Sequence, residues 1–466
     1  MELIKKFIQF ALGNVIILFI GFITTPIITH LVSPEELGKY SLFNTVGNLC
    51  VLLCMMGIDQ AFIRYYYEEN ETGRVKLSKI FMVFCVFNAF VISIIFFVLK
   101  TQIAKSLFGI DSYVPAIVLS VFVLFNILYN IVLLQLRIQQ RLNMYNFLHT
   151  LQKAGYLIFS IAGSCAGVFG LISAVILSYG IVSLVGFLLE RKIWFSKNFK
   201  QVKLKHNIRE LLIFGFPIFF SSIIAWVFQA TDKIMIKTFA GFTELGIYSS
   251  AAELIIILNA VQSAFATFWI PVAYEHFIKE PDDTCFFTTV NQIISFLMFV
   301  LAIILISSKE LLGLLLGDSY QNAAYVFPSL VFMPIMYTIS ETTVLGINFK
   351  KKTIYHIWIS MISATSNIIL NVLLIPFFGA KGAAMATGLA YFIHWGGRTF
   401  FSYKCLKINY GIKKFLVAFM FMYVFAVYAS FADKNIIFIA FAVLFLLCFL
   451  YRNVIVKALM MRKNYG

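Results

Sequence analysis

Apolar runs of roughly 20 residues follow one another along the whole chain, separated by short polar connections. A helix rises about 1.5 Å per residue and the hydrocarbon core of a bilayer is about 30 Å thick, so each run is long enough to cross a membrane. The pattern predicts about fourteen membrane helices, at 8–29, 40–63, 79–99, 114–134, 147–167, 169–189, 212–231, 246–275, 286–306, 321–347, 356–376, 379–401, 413–431 and 434–451. Pro26, Pro271 and Pro334 fall inside these segments and predict kinks, because neighbouring helices and local backbone adjustments satisfy the freed carbonyls within a membrane. No polar stretch reaches the roughly 50 residues of a small soluble domain. The expected fold class is therefore an all-α polytopic membrane protein.

A repeated phrase organises these helices. Residues 36–41 read Glu36, Leu37, Gly38, Lys39, Tyr40, Ser41, and residues 244–249 read Glu244, Leu245, Gly246, Ile247, Tyr248, Ser249. Later in each half, Gly167, Gly170, Ala174 and Tyr179 recur as Gly379, Gly382, Ala386 and Tyr391. A repeat on this scale in a membrane protein points to two similar bundles flanking a pathway. Helix 1 then corresponds to helix 7 and helix 6 to helix 12. Six helices per repeat is an even number, so both repeats enter from the same side and are parallel. The expected organisation is a lobe over 1–211 including a central cytoplasmic loop, a second lobe over 212–410, and two further helices with a tail over 411–466. Both copies of the Glu-Leu-Gly phrase are expected on the outer side, each just before an even-numbered helix.

Composition agrees with a membrane chain. The sequence is 61% hydrophobic and 12% charged, about half the charged fraction of an average soluble protein. Lys5 and Lys6 precede the first apolar run, but no small-residue cleavage site follows, so that run reads as a permanent helix. Seven scattered cysteines make no disulfide framework. The net charge of +16 would suit nucleic acid, but its distribution is that of a topology signal. With the N-terminus inside, Arg191, Lys192, Lys197, Lys200, Lys203, Lys205 and Arg209 in the central loop and Lys350, Lys351 and Lys352 all fall on the cytoplasmic face. Both termini are expected there, and no loop is long enough for a nucleic-acid-binding module.

Candidate chemistry lies in polar residues at helical spacing. No nucleotide, catalytic or metal motif stands out: Gly379-Ala-Lys-Gly lacks the Lys-Ser/Thr ending and the preceding strand of a phosphate loop. No enzymatic activity, cofactor or metal is expected. His149, Lys153, Tyr156, Ser160 and Gly163 share one face of helix 5; His356, Ser360, Ser363, Asn367 and Asn371 form a stripe along helix 11; and Ser249, Glu253, Ala260, Ala264 and Thr267 line helix 8. Such stripes face either a wet cavity or another helix. Charges within membrane helices cost several kcal/mol unless paired or wet, which singles out Lys153, Arg398 (four residues after His394), Glu253, Glu341 (four after Tyr337) and Asp232. Asp59, close to Arg64, reads as a helix-end or interface residue. Lys153, Arg398, His149, Tyr156, His394, Asn367 and Asn371 are the candidate substrate-binding residues. Glu253, Glu341 and Asp232 are the candidate ion-coupling acids.

The stretch from Ala11 to Asn14 and on through Thr25, Pro26, Ser33 and Pro34 to Ser41 resembles the Wzx-type polysaccharide transporters of the multidrug/oligosaccharidyl-lipid/polysaccharide exporter superfamily. Gly57 to Tyr66, Ala230 to Lys233 with Leu245 to Ala251, and Gly379 to Thr387 are similar to that family's segments ending helix 2, their counterpart in the second half, and the turn between helices 11 and 12. The resemblance implies two MATE-like six-helix lobes forming a V that rocks between inward- and outward-open states. It implies a cargo of undecaprenyl-pyrophosphate-linked oligosaccharide, flipped from the inner to the outer leaflet of the bacterial cytoplasmic membrane for O-antigen, capsule or exopolysaccharide assembly. Lys153 and Arg398 would meet the pyrophosphate as point charge and bidentate donor, with a proton or sodium gradient as the coupling source. A polysaccharide polymerase and glycosyltransferases are the expected partners beside the lipid bilayer. A lipid II flippase, a drug/cation antiporter of the same superfamily and a polytopic enzyme acting on lipid-linked sugars remain alternatives.

Overall fold

A computed structural model describes the backbone of residues 2–196 and 204–465, with side chains described within these limits except for residues 2–15, 257 and 454–465. Among the sequence's topological charges, Lys5, Lys6, Lys197, Lys200 and Lys203 lie outside the described side chains. All regular structure among the described residues is helical. The chain forms two compact units, Met1–Ile234 and Met235–Gly466.

The N-terminal unit contains α1 (Glu2–Leu31), α2 (Pro34–Met55), α3 (Ile58–Tyr65), α4 (Glu71–Val98), α5 (Lys100–Phe108), α6 (Val114–Ile138), α7 (Leu142–Gly163), α8 (Gly167–Leu189), α9 (Arg191–Trp194) and the first part of α10 (Ile208–Leu254). α2 begins earlier than the hydrophobic run because Ser33 caps it. Ser33 Oγ accepts from the Glu36 amide, the Glu36 carboxylate accepts from the Ser33 amide, and Pro34 occupies the first turn. The repeated phrase at 36–41 therefore lies inside the helix, not before it. The run expected to continue to residue 63 instead bends by 50° after Met55. Met56 and Gly57 both take left-handed conformations there, with φ of 47° and 76°. Gly57 also lies against backbone: a Cβ on it would come within 2.2 Å of the Gly215 carbonyl oxygen. This approach, with the Trp226 indole N–H donating to the Thr45 carbonyl at 3.2 Å, draws the start of α10 onto the N-terminal unit. The expected lobe boundary at residues 211 and 212 lies just inside the start of α10, ahead of that contact.

The C-terminal unit contains the rest of α10, α11 (Ile256–Lys279), α12 (Thr284–Ser307), α13 (Lys309–Leu315), α14 (Ala323–Leu330), α15 (Phe332–Thr343), α16 (Leu345–Phe349), α17 (Ile354–Cys405), α18 (Ile412–Ala429) and α19 (Ile436–Tyr465). Among the described residues, nine helices are long and apolar enough to cross a membrane, or ten if α2 and the bent segment after it form one crossing. Three of the nine stretches, Leu142–Leu189, Ile208–Leu254 and Ile354–Cys405, run for 47 to 52 residues, about twice what a bilayer requires. Each is interrupted at or beside a glycine of positive φ: Gly167, Gly241 and Gly379.

Packing follows the membrane pattern. Tyr129, Val132, Leu133, Leu136, Leu148 and Val182 form one buried cluster in the N-terminal unit, and Trp269, Ala273, Phe287, Leu345, Ile408 and Tyr410 one in the C-terminal unit. Phe438, Phe441, Phe445 and Phe449 stay exposed at three- and four-residue spacing on α19. Such a ridge costs nothing in lipid, where apolar surface has no water to leave.

Candidate functional site

An elaborate buried polar cluster lies in the C-terminal unit, where α15 packs on α17. α15 is buried almost all round and supplies Tyr337, Ser340 and Glu341. The second half of α17 supplies His394 and Arg398 four residues apart, and the first half supplies Ser363, Asn367 and Asn371 at the same spacing. Those spacings place each set on one face of its helix.

The guanidinium of Arg398 is the centre of the cluster. Arg398 is 8% exposed and Glu341 7%. Arg398 Nη1 donates to Glu341 Oε1 at 2.7 Å and to Ser340 Oγ at 2.9 Å, and Nη2 reaches the Tyr337 hydroxyl at 3.4 Å. Its carbon lies 4.7 Å from the centroid of the Tyr337 ring. The Tyr337 ring also carries His394, which stacks on it with centroids 5.9 Å apart and planes 11° apart. Ser363 Oγ and His394 Nδ1 are 3.2 Å apart, and Asn371 Nδ2 donates to Asn367 Oδ1 at 3.1 Å. A buried charge is tolerated only when paired and hydrogen-bonded, and this set meets that requirement for most of the guanidinium. Arg398 Nε and His394 Nε2 remain buried without a hydrogen-bond partner among the described residues. Each is a polar atom left available, and each unsatisfied group carries a desolvation cost of about 1–3 kcal/mol.

Three more bonds pin the supporting backbone. Thr399 donates to Thr343 at 2.9 Å, Asn291 to Thr342 at 2.7 Å, and the Gly346 amide to Ser402 at 2.9 Å. The sequence placed Arg398 and Glu341 in different roles, and the structure joins them in one ion pair. Ser340 went unnoticed in the sequence because it neighbours Glu341 and shares no obvious stripe with Arg398.

The helix-5 residues lie in the N-terminal unit, on α7. His149 is flanked edge-on by Tyr129 and Tyr145, with centroids 6.3 and 5.8 Å away, and its Nδ1 is buried without a partner among the described residues. Lys153, one turn on, is half-buried. It forms no salt bridge among the described residues. Tyr156 stacks on Tyr40 of the repeated phrase, 6.0 Å centroid to centroid. The acids differ from one another: Asp232 is buried, whereas Glu253 is exposed in the last turn of α10. Ala264 and Thr267, on the same helix-8 stripe as Glu253, are also exposed, and Ser249 is buried.

Two charged residues outside the cluster have defined partners. Arg64 pairs with Glu68 and not with Asp59, whose carboxylate instead accepts from Gln60 at 2.7 Å. Residues four apart share a helix face and residues five apart do not. Lys309 is 1% exposed. Its ammonium donates to the carbonyls of Ala429 and Ala432 at 2.6 and 2.9 Å and to Asp433 at 3.1 Å, so it satisfies the unpaired C-terminal end of α18. Nothing in its sequence surroundings signals this, because the partners lie about 120 residues away.

The model of the family described as "Polysaccharide biosynthesis protein" matches residues 3–276, more than half of the chain. The chain belongs to that family. Among relatives, it is 25% identical over 202 residues to a protein of Haloferax volcanii named "Probable low-salt glycan biosynthesis flippase Agl15", covering 43% of each chain. It is 23% identical over 258 residues to an uncharacterized membrane protein of Methanocaldococcus jannaschii, covering 53% of this chain and 50% of that one. The chain thus spans about half the length of the curated relatives it matches. In fold, it is similar to a lipid II flippase, MurJ, in an inward closed conformation, with a TM-score of 0.68, 17% identity and coverage of 96% of this chain and all of that one. It is also similar to an inward-facing MATE multidrug transporter of the MOP superfamily, with a TM-score of 0.58, 14% identity and coverage of 83% and 94%. The family and the fold make this chain a multi-pass, all-helical membrane protein of the polysaccharide biosynthesis family, as the sequence led one to expect.

Proposed function

We propose that this protein flips an undecaprenyl-pyrophosphate-linked oligosaccharide from the inner to the outer leaflet of the cytoplasmic membrane, by alternating access, for surface polysaccharide assembly. The observation that carries the reading is the buried Arg398 cluster in a chain of the polysaccharide biosynthesis family. The Arg398 guanidinium offers a pyrophosphate the fixed, bidentate cation that such a group needs. On this reading fourteen helices form two six-helix lobes with two helices added, and both termini are cytoplasmic. Lys153, His149 and Tyr156 in one lobe and Arg398, His394, Asn367 and Asn371 in the other contact the head group.

The ion pair supplies a coupling scheme. A pyrophosphate oxygen competes with Glu341 for the Arg398 guanidinium, whose Nε has no other partner. Glu341, freed from the guanidinium, is then one acid through which the gradient would act. Asp232 and Glu253 are the other acids through which a proton or sodium gradient would act. A polymerase and glycosyltransferases are the partners that would consume and supply the cargo.

The test is lipid extraction and mass spectrometry on a strain lacking the protein, with the leaflet of the accumulated lipid probed by an impermeant oxidant. Accumulation of polyprenyl-pyrophosphate oligosaccharide confined to the inner leaflet, with loss of surface polymer, is the expected result. Accumulation in the outer leaflet would instead indicate a block in polymerisation and overturn the flippase reading.

A further inference from the structure

The two repeated phrases, separated by more than 100 residues within each half, meet in the folded chain. In the C-terminal unit the Glu244 carboxylate accepts a hydrogen bond from the Ala380 amide at 2.8 Å. Ala380 opens the second half of α17, just after Gly379, which takes φ 55° and ψ −132°. In the N-terminal unit Gly167 opens α8 with φ 57° and ψ −132°, and Glu36 lies on it so closely that a Cβ on Gly167 would fall 1.8 Å from Glu36 Oε1. A Cβ on Gly379 would likewise fall 2.6 Å from Glu244 Oε2. The equality of the backbone angles, together with the same carboxylate on the same glycine, makes these one device used twice. Its second glycine is equivalent as well: a Cβ on Gly170 would meet the Gly163 carbonyl oxygen at 1.9 Å, and one on Gly382 the Leu374 carbonyl oxygen at 2.4 Å.

We infer that Glu36 and Glu244 are paired positioning residues, each stapling the start of an even-numbered helix to the hairpin that begins α8 or the second half of α17. The chemistry is that of a carboxylate at a helix N-terminus, where amides lack intrahelical partners and the macrodipole favours negative charge. The same carboxylate also occupies the N3 position of its own helix. Glu36 closes the capping box with Ser33, and Glu244 stands at the same distance after Gly241, where the equivalent helix begins. One side chain thereby fixes two helix starts. The helix held in the C-terminal unit carries His394 and Arg398, so Glu244 sets the depth and rotation of the residues that the proposed function places on the cargo. The inference that this affects transport rests on that function. The staple itself does not.

The test uses the full-length protein in lipid nanodiscs and vesicles with Glu36→Ala, Glu36→Gln, Glu244→Ala and Glu244→Gln. Amide exchange over 379–383 should be about tenfold faster in Glu244→Ala, and that over 167–171 in Glu36→Ala, with each Gln variant close to wild type because its carbonyl still accepts. Flipping of a fluorescent polyprenyl-pyrophosphate disaccharide, per folded molecule, should fall at least fivefold in both Ala variants and be rescued in both Gln variants. Unchanged exchange in the Ala variants overturns the staple, and faster exchange with unchanged flipping overturns the positioning role. Failure of the wild type to flip the probe would count against the proposed function, while the exchange measurement would still decide the staple.

Discussion

Arg398 and Glu341 are buried on different elements and neutralise each other across 2.7 Å. Removing one partner strands the other as a buried charge, which typically costs about 3–5 kcal/mol. Arg398→Ala and Glu341→Ala are each expected to destabilise by that order, and Arg398→Ala with Glu341→Ala by clearly less than the sum. Thermal unfolding of the four proteins in one detergent checks this, and strict additivity would show that the pair does not interact. His206 offers a charge test outside the membrane helices. Its ring nitrogens lie 2.9 Å from carboxylate oxygens of both Glu210 and Glu68, and hydrogen bonds to these raise its pKa from 6.5. The hydrogen bond from His206 holds the Glu68 carboxyl below its ordinary value of 4.5. The contribution of His206 is complete below about 6.5 and lost as pH rises through the raised value. That of Glu68 is present above about 4.5 and lost as pH falls through the lowered one. The contact is therefore strongest between those limits, and amide exchange over 204–210 should quicken from pH 6 to pH 8 in wild type beyond the intrinsic rate, with no such excess in His206→Gln. Individual polar residues were legible in the sequence because burying them in an apolar run is costly. Their partners were not: Arg398 and Glu341 are 57 residues apart, and spacing along a chain reveals neighbours on one helix only.

Several long helical stretches of this chain break at glycines of positive φ. The bend after α2 depends on Gly57, whose φ of 76° favours glycine and whose Cα faces the Gly215 carbonyl. Gly57→Ala forces a left-handed alanine and a Cβ contact of 2.2 Å against backbone that has no flexible end to move. A loss of about 1–3 kcal/mol is expected, seen as a lower unfolding temperature. An unchanged melting curve would mean that α2 and α10 separate without cost. The existence of nearly every helix was legible because roughly 20 apolar residues leave no alternative in a membrane. The early start of α2 was not read, although Ser33, Pro34 and Glu36 spell a capping box, because hydropathy alone set the boundary at residue 40. The short connections at Gly167 and Gly379 were located correctly. Their role was not, since the carboxylates that explain them come from the other repeated phrase.

At the scale of the molecule, orientation follows from where basic residues collect, and parity makes it testable with cysteines already in the chain. Cys165 and Cys285 are exposed, whereas Cys50, Cys54 and Cys85 are buried. Cys165 sits in the turn between α7 and α8, and Cys285 at the start of α12. If α8 crosses once, and the stretch from α10 to α11 crosses twice with its turn at Gly241, three crossings separate the two thiols and they lie on opposite sides. With the exposed lysines Lys350, Lys351 and Lys352 on the cytoplasmic side, as the positive-inside bias requires, Cys165 faces out and Cys285 faces in. Variants keeping only one of these cysteines, treated in intact cells with a membrane-impermeant maleimide, should label at Cys165 and fail to label at Cys285 until the cells are opened. The reverse pattern would invert the orientation and place the basic central loop outside. Labelling of both in intact cells would mean an even number of crossings between them. In that case Gly241 would be a kink within one crossing, and the helices after it would run opposite to their counterparts in the first repeat.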